Sequence, residues 1–427
     1  MLANGVATGR ILVKAWIERY GFWIALLIAS IAYFHRFSSS IDVGVAQYTG
    51  AARCMLHAQV MQTCASYFTY PPVLAFIMIP LVPLPALLQL LIWYVITIAA
   101  SVGMYKLAER AASRMFAIPF GADELLWIRV IAVILGVKFV LAVFENQAHD
   151  ALSGIFILLG LASLADGHEK TAGGVLGFAA ALKATPLIFL PYLIVKKRFA
   201  AAAVFTVVML VVSFLPDLFF TPLGSSEGYF LGWLHHIAGP AISIDPDAAQ
   251  LKFWSGANTL NHSLRGAVSL QIDEVAHPAL HKAVLYGLDL AFIVFAALLI
   301  MVRKPARNMI AIDGSILIIG ILMLSPMTSR SHYVLLVLPY VTLTMVMLRD
   351  QVTRGIGITV LAVSFFFLTV TSNDVVGKGL SDYAYYHSYL VIGALSLMIY
   401  IAVIVWNPAV LRDAKPFALP TLKLRRT

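Results

Sequence analysis

The polar side chains of this sequence are few, and a handful of them sit where chemistry could be done. Asp42, in Ser38-Ser-Ser-Ile-Asp42-Val-Gly44, is the only acidic residue between Glu18 and Glu109. A lone carboxylate among polar neighbours suits a general base that takes a proton from a hydroxyl. Capping a helix N terminus is its competing use. The stretch Glu145-Asn-Gln147-Ala-His149-Asp150 sets two acids, two amides and a histidine between two apolar runs. A turn must be polar, yet ionisable groups at membrane depth cost about 2.5–3.5 kcal/mol each and are usually kept for a reason. Lys183 stands three residues before Pro186. It could grip a phosphate as a compact point charge or simply snorkel to an interface. In Ser325-Pro-Met-Thr-Ser-Arg330-Ser-His332-Tyr333 a cation and a histidine stand beside hydroxyls. That set suits a phosphate or pyrophosphate; a solvated loop charge is the plain alternative. The stretch 216–282 adds His235-His236, Trp254 and Asn258-Thr-Leu-Asn261-His-Ser-Leu-Arg265. Rings and amides are a common surface for sugars. The adjacent histidines bring no third ligand at a recognisable spacing, so no metal site is expected.

These residues need elements to position them, and composition says which kind. Of 427 residues, 61% are hydrophobic and 12% charged, about half the roughly 25% charge of soluble proteins. Too few polar side chains exist to coat a water-soluble surface. A soluble enzyme, a disordered chain and a nucleic-acid-binding module are excluded. An all-α, polytopic integral membrane protein remains. Continuous apolar runs suggest about 12 transmembrane helices at about 20 apolar residues per span. They lie near 20–33, 72–105, 125–144, 151–164, 172–183, 186–195, 200–215, 284–302, 310–324, 333–348, 356–370 and 389–406. Pro80, Pro83 and Pro85 break the second run into a half-helix and a full span. The fifth and sixth runs are short and meet at Lys183-Ala-Thr-Pro186, as a broken or re-entrant pair would.

Charge then orients the chain. With the N terminus in the cytoplasm and one crossing per run, 20 of the 30 Lys and Arg residues fall on the cytoplasmic side, seven opposite and three within spans. That asymmetry supports both termini in the cytoplasm and an active site on the outer face. It also accounts for a net charge of +9 without a nucleic-acid partner. The N terminus lacks a convincing cleavage site, so the first span is expected to be retained. The chain reads as one domain over 1–427, with outer loops 34–70, 216–282 and 371–387 near the site and 407–427 as a cytoplasmic tail. Cys54 and Cys64 share the first outer loop. They form either a disulfide, if that side is oxidising, or two buried thiols.

Several of these segments match one pattern in one order. They are Asp42; Phe68-Thr-Tyr70-Pro-Pro72; Asn146-Gln147-Ala-His149; Ala172-Gly-Gly-Val-Leu-Gly177 through Lys183-Ala-Thr-Pro186; Asn261-His-Ser-Leu264; and Ser325-Pro326 with His332. In these the chain resembles the polyprenyl-phosphate-sugar-dependent glycosyltransferases of GT-C fold. It is most similar to glycosyltransferase family 87, whose members include mycobacterial mannosyltransferases. A Gly-Gln-x-Asn turn of the family is altered here, and the last motif lacks a tryptophan and one histidine. The resemblance implies a membrane hexosyltransferase, with mannose the leading sugar, that uses a polyprenyl-phosphate donor and no further cofactor. It implies inverting transfer to a hydroxyl of a lipid or glycolipid on the periplasmic face of the cytoplasmic membrane. Asp42 would be the base, and Lys183, Arg330 and His332 would hold the donor phosphate. Tyr70, Glu145, Gln147, His149, His236 and Asn261 would meet sugar or acceptor. The rival classes are a secondary transporter or lipid flippase and a lipid-linked oligosaccharide ligase or polymerase with a pyrophosphate donor.

Overall fold

The computed structural model describes residues 31–38, 44–243, 258–301 and 308–407, with Val410 and Pro416. Among these every regular element is helical. We label the main helices α1 (Val45–Leu56), α2 (Pro72–Met78), α3 (Ala86–Ser113), α4 (Ala122–Glu145), α5 (Asp150–Ala165), α6 (Glu169–Leu182), α7 (Phe189–Val195), α8 (Phe199–Phe219), α9 (Tyr229–Trp233), α10 (Leu264–Gln271), α11 (Pro278–Met301), α12 (Ile310–Leu324), α13 (Val337–Arg349), α14 (Arg354–Phe365), α15 (Asn373–Tyr386) and α16 (Tyr389–Trp406).

Proline sets several of the boundaries. The half-helix α2 runs into a short 3-10 turn, Ile79–Leu81, and stops before Pro83 and Pro85; α3 then starts afresh at Ala86. Lys183 takes an extended conformation at the end of α6, and a 3-10 turn at Thr185–Ile188 leads into α7. The broken pair expected there is present. Six described helices are long and apolar enough to cross a membrane, or seven if the pair 354–370 and 373–386, bent by 85°, is one span. Four shorter apolar helices of 10–17 residues accompany them. The protein is thus polytopic and all-helical, but fewer helices reach full membrane length than the apolar runs suggested. Several runs fold as short helices, which cannot cross alone at 1.5 Å per residue. The segment 371–387 is not an open loop; most of it is α15.

Burial separates two kinds of span. The stretch Arg330–Arg349 is 94% buried, whereas α8 and α11 are only 28% buried. Helix α12 is buried along nearly its whole length. These two stretches form the centre of the core, and a helix that is apolar all round belongs there.

Opposite ends of the bundle carry different chemistry. At one end Asp166 pairs with Arg110 and Arg114, Arg198 with Glu169 (3.0 Å), Lys196 with Asp313 (3.2 Å) and Arg349 with Glu124 (2.8 Å). Those residues lie at or beside the C-terminal ends of α3, α5, α7 and α13 and the N-terminal ends of α4, α6, α8 and α12. The other end gathers the α4–α5 turn, the end of α6 and the segment between α12 and α13.

Candidate functional site

The α4–α5 turn is built around Gln147. This residue has a left-handed backbone, φ 48°, and is wholly buried. Its side-chain amide donates to Phe37 O (2.8 Å), while its Oε1 accepts the Val45 N–H (3.2 Å). Its own carbonyl accepts the Trp93 indole N–H (2.9 Å). One amide therefore holds both ends of the segment between Phe37 and Val45. Gly44 at the start of α1 has φ 53°, and a Cβ there would come within 2.3 Å of Gln147 Cβ. Only glycine allows that approach. Asp42 lies outside the described residues, two positions before this contact.

His149 follows in the turn, 1% exposed. Its Nδ1 lies 3.4 Å from the Tyr48 hydroxyl, and its ring meets the Tyr70 ring edge-on with centroids 4.3 Å apart. Its Nε2 is buried without a partner among the described residues. Burial, reinforced by the nearby Lys183 ammonium, lowers the imidazole pKa to about 3, so the ring is neutral at physiological pH. Burial raises the Tyr48 and Tyr70 phenols well above their ordinary range. Glu145, by contrast, lies toward the rim and pairs with Arg36 at 3.0 Å.

Asp150, the first residue of α5, is the hub. Its Oδ1 pairs with Lys183 Nζ, and its Oδ2 accepts the Ser331 hydroxyl (2.7 Å). His332 Nδ1 stands 3.8 Å from Oδ1. That nitrogen accepts the Ser329 backbone N–H (3.3 Å) and also faces Ser329 Oγ (2.9 Å). An acceptor Nδ1 puts the proton of neutral His332 on Nε2. Lys183 and Asp150 are both nearly fully buried, at 8% and 3% exposure. Buried charges persist when paired, as here. The lysine is delivered by a tightly packed helix. A Cβ on Gly173 or Gly177 would lie 2.2 or 2.4 Å from the carbonyl oxygen of Ala201 or Phe205, so α6 and α8 touch backbone to backbone.

Asn261 braces the segment that carries Ser331 and His332. Its Nδ2 donates to Pro326 O (3.0 Å), and its Oδ1 accepts the Thr328 N–H (3.1 Å) and the Ser263 hydroxyl (2.9 Å). His262 N–H donates to Thr328 O (2.7 Å), and the Tyr333 hydroxyl donates to His262 O (2.8 Å). Arg330 reaches Tyr385 on α15, Nη1 to hydroxyl 3.4 Å. His236 is not brought to this cluster. It lies exposed on a π-turn after α9, 4.0 Å from Glu227.

The structure thus joins Lys183, His332, His149 and Tyr70 through Asp150 and Tyr48, neither of which was among the expected site residues. Asp150 had one signal, an acid in a polar turn beside a buried lysine's helix. Tyr48 and Trp93 had none, because aromatics in apolar helices read as packing. Among the described residues, no three His, Cys, Asp or Glu side chains come together as a metal site. The cluster gathers a carboxylate, an ammonium, a hydroxyl and imidazole nitrogens away from water.

Residues 68–329 match the family model of glycosyltransferase family 87. The chain belongs to that family. Its matched region contains the turn at Gln147, Asp150, Lys183 and Asn261, and ends one residue before Arg330. A polyprenol-phosphate-mannose-dependent α-(1-2)-phosphatidylinositol pentamannoside mannosyltransferase of Mycobacterium tuberculosis is 27% identical over 277 residues. That alignment covers 63% of this chain and 56% of the relative, so the chain spans little more than half of that protein's length. No solved structure matches the chain.

Proposed function

We propose that this family member transfers a hexose, with mannose the leading sugar, from a polyprenyl-phosphate donor to a hydroxyl of a lipid or glycolipid. The observation that carries the reading is the buried cluster of Asp150, Lys183, Ser331 and His332, assembled from segments within or bordering the family match. The relative's dependence on polyprenol-phosphate-mannose supports the donor class.

The reaction is a single inverting displacement. The acceptor oxygen gives its proton to Asp42 and forms a bond to the sugar's anomeric carbon. The bond from that carbon to the phosphate oxygen breaks, and polyprenyl phosphate leaves with the electron pair. Lys183, Arg330 and the Nε2–H of His332 stabilise the departing dianion, as preorganised donors do where charge develops. Tyr70, His149, Glu145 and Asn261 are the residues offered to sugar or acceptor; His236, exposed beside Glu227, is not. Gln147 holds the ends of the segment bearing Asp42. The site faces the periplasm and both termini the cytoplasm, since the arginine-rich end of the bundle is the one away from this cluster.

The test offers purified protein a panel of radiolabelled polyprenyl-phosphate sugars with lipid extract. Label should move to a new lipid. Asp42→Asn should cut transfer by about 10²–10⁴-fold with an unchanged gel-filtration profile. Near wild-type turnover in that variant would remove Asp42 from the mechanism.

A further inference from the structure

Helix α1 has two distinct faces. One buries Val45, Tyr48, Ala52 and Met55, with Tyr48 reaching the His149 ring. The other presents Gln47, Gly50, Arg53 and His57 at three- and four-residue spacing, which aligns them along one stripe. Opposite this stripe runs the segment with Gln59 and Tyr67, tied back to α1 by the Cys54–Cys64 disulfide. A cavity of about 410 Å³ opens between them, within the usual range of small-molecule sites, about 300–1,000 Å³.

Its lining is chemically one-sided. No carboxylate contributes to it. Among the described residues, neither the Arg53 guanidinium nor the His57 ring has a hydrogen bond or ion pair. Two amides and an exposed tyrosine ring complete the wall. A cation and amides beside an aromatic face fit a phosphoester that carries hydroxyls. Helix α1 begins three residues after Asp42 in the sequence. Gln47 and Arg53 lie six residues apart on it, or ~9 Å at 1.5 Å per residue.

We propose that this cavity binds the headgroup of the acceptor, an anionic glycolipid. Arg53 holds its phosphate, and Gln47 and Gln59 meet its sugar or polyol hydroxyls. Tyr67 takes a ring face. The disulfide keeps the outer wall in place. This assignment rests on the transferase reading for calling the ligand an acceptor, but binding can be measured without any donor.

The test is a calorimetric titration of the full chain in detergent, without donor. The probes are short-chain phosphatidylinositol, inositol phosphate and short-chain monogalactosyl diacylglycerol, the last an uncharged control. Saturable binding of a phosphoester probe, at least about tenfold tighter than the uncharged lipid, is expected, as one charge-assisted contact supplies. Tighter binding of the lipid form supports a membrane acceptor as the source, and equal binding of inositol phosphate supports the site with a soluble one. Arg53→Glu should remove the preference. Gly50→Trp should block binding by filling the cavity, since a Cβ at Gly50 meets nothing within 4 Å. Gly355, equally open but on α14, provides the control: Gly355→Trp should bind as wild type. Absence of saturable binding, or binding indifferent to both Arg53→Glu and Gly50→Trp, overturns the assignment. Binding with this pattern but no sugar transfer would uphold the cavity and defeat the transferase reading instead.

Discussion

The Asp150–Lys183 pair allows a test that separates holding the fold from doing chemistry. Both side chains are almost fully buried and joined directly. Lys183→Met would leave the Asp150 carboxylate with the Ser331 hydroxyl (2.7 Å) and a neutral His332. One hydroxyl cannot replace an ammonium, so the orphaned charge should cost about 3–5 kcal/mol. Asp150→Asn strands the ammonium and should cost a similar amount. The double variant removes both charges and leaves an amide and an apolar chain of similar size. It should lie within about 1–2 kcal/mol of wild type, because exchanging a buried pair for neutral groups is often close to neutral. The coupling is therefore about 4–9 kcal/mol, above the roughly 0.5–3 kcal/mol usual for contacting residues. Unfolding in mixed micelles, followed by denaturant titration, would read it. High salt should change it little, since buried pairs are weakly screened. Single variants that lose less than about 1 kcal/mol and add up in the double would refute the pairing as a buried charge interaction. Transfer activity answers the other half. If Lys183 holds the donor phosphate, the double variant is folded but slow by about 10²-fold or more. A double variant that is stable and fully active would confine the pair to a structural role.

Other outcomes follow from particular contacts. Gly44→Ala places a methyl 2.3 Å from Gln147 Cβ at a positive φ; strain and overpacking together should cost about 2–4 kcal/mol and lower the apparent Tm. A variant as stable as wild type would contradict the close approach. Burial lowers His149 and His262 to about 3, further pressed by Lys183 and by Arg330 respectively. In the unfolded chain both titrate near 6.5, so between about 6.5 and about 3 the unfolded state binds more protons. Stability is then fully present above about 6.5 and falls with acidification, by up to about 1.4 kcal/mol per histidine per pH unit. Apparent Tm measured from pH 7 to pH 5 should drop, and His149→Gln should flatten the slope; an unchanged slope would refute the buried neutral imidazole. The Cys54–Cys64 disulfide closes a loop of ten-residue separation, worth about 2–3 kcal/mol by chain entropy. Reduction, or Cys64→Ser, should lower stability by that amount, read as a shift in denaturant midpoint.

Local rules made much of the framework readable. Pro80, Pro83 and Pro85 end one helix and begin another because proline lacks the N–H that a helix interior needs, and the structure breaks between Leu81 and Ala86. Lys183-Ala-Thr-Pro186 marked a helix end for the same reason, and the end is there. Length was less readable. An apolar run shows what avoids water, not whether lipid or protein covers it. The short α12 is apolar because it is central, whereas Arg330–Arg349 is both central and long enough to cross, so counting apolar runs could not separate a short core helix from a span. The long-range pairings were hidden altogether. Asp150 meets partners 33 and 181 positions away, and no local pattern reports that. Cys54 and Cys64 admitted two states from spacing alone; the structure joins them.

The two ends of the bundle show why so few charges suffice. At the end away from the site, arginines and lysines find acids on neighbouring helices, and Arg349 is also covered by the Phe120 ring at 3.5 Å. These pairs tie helix ends together and fix the central stretch Arg330–Arg349 by its C terminus. The other end of that same stretch begins at Arg330 and carries Ser331 and His332. Anchoring one end by an ion pair therefore positions the opposite end, about 20 residues and ~30 Å away, against Asp150. Loosening the anchor should then misplace the site without touching it. Arg349→Met takes the guanidinium from the buried Glu124 carboxylate, which keeps the Gly121 N–H (3.0 Å) but no longer has that countercharge, and should cost about 3–5 kcal/mol. Arg349→Met with Glu124→Gln should recover most of that stability. If the anchor matters to the site, sugar transfer should recover along with it; recovered stability with transfer still lost would mean that the charge pair itself, rather than the rigidity it confers, reaches the far end.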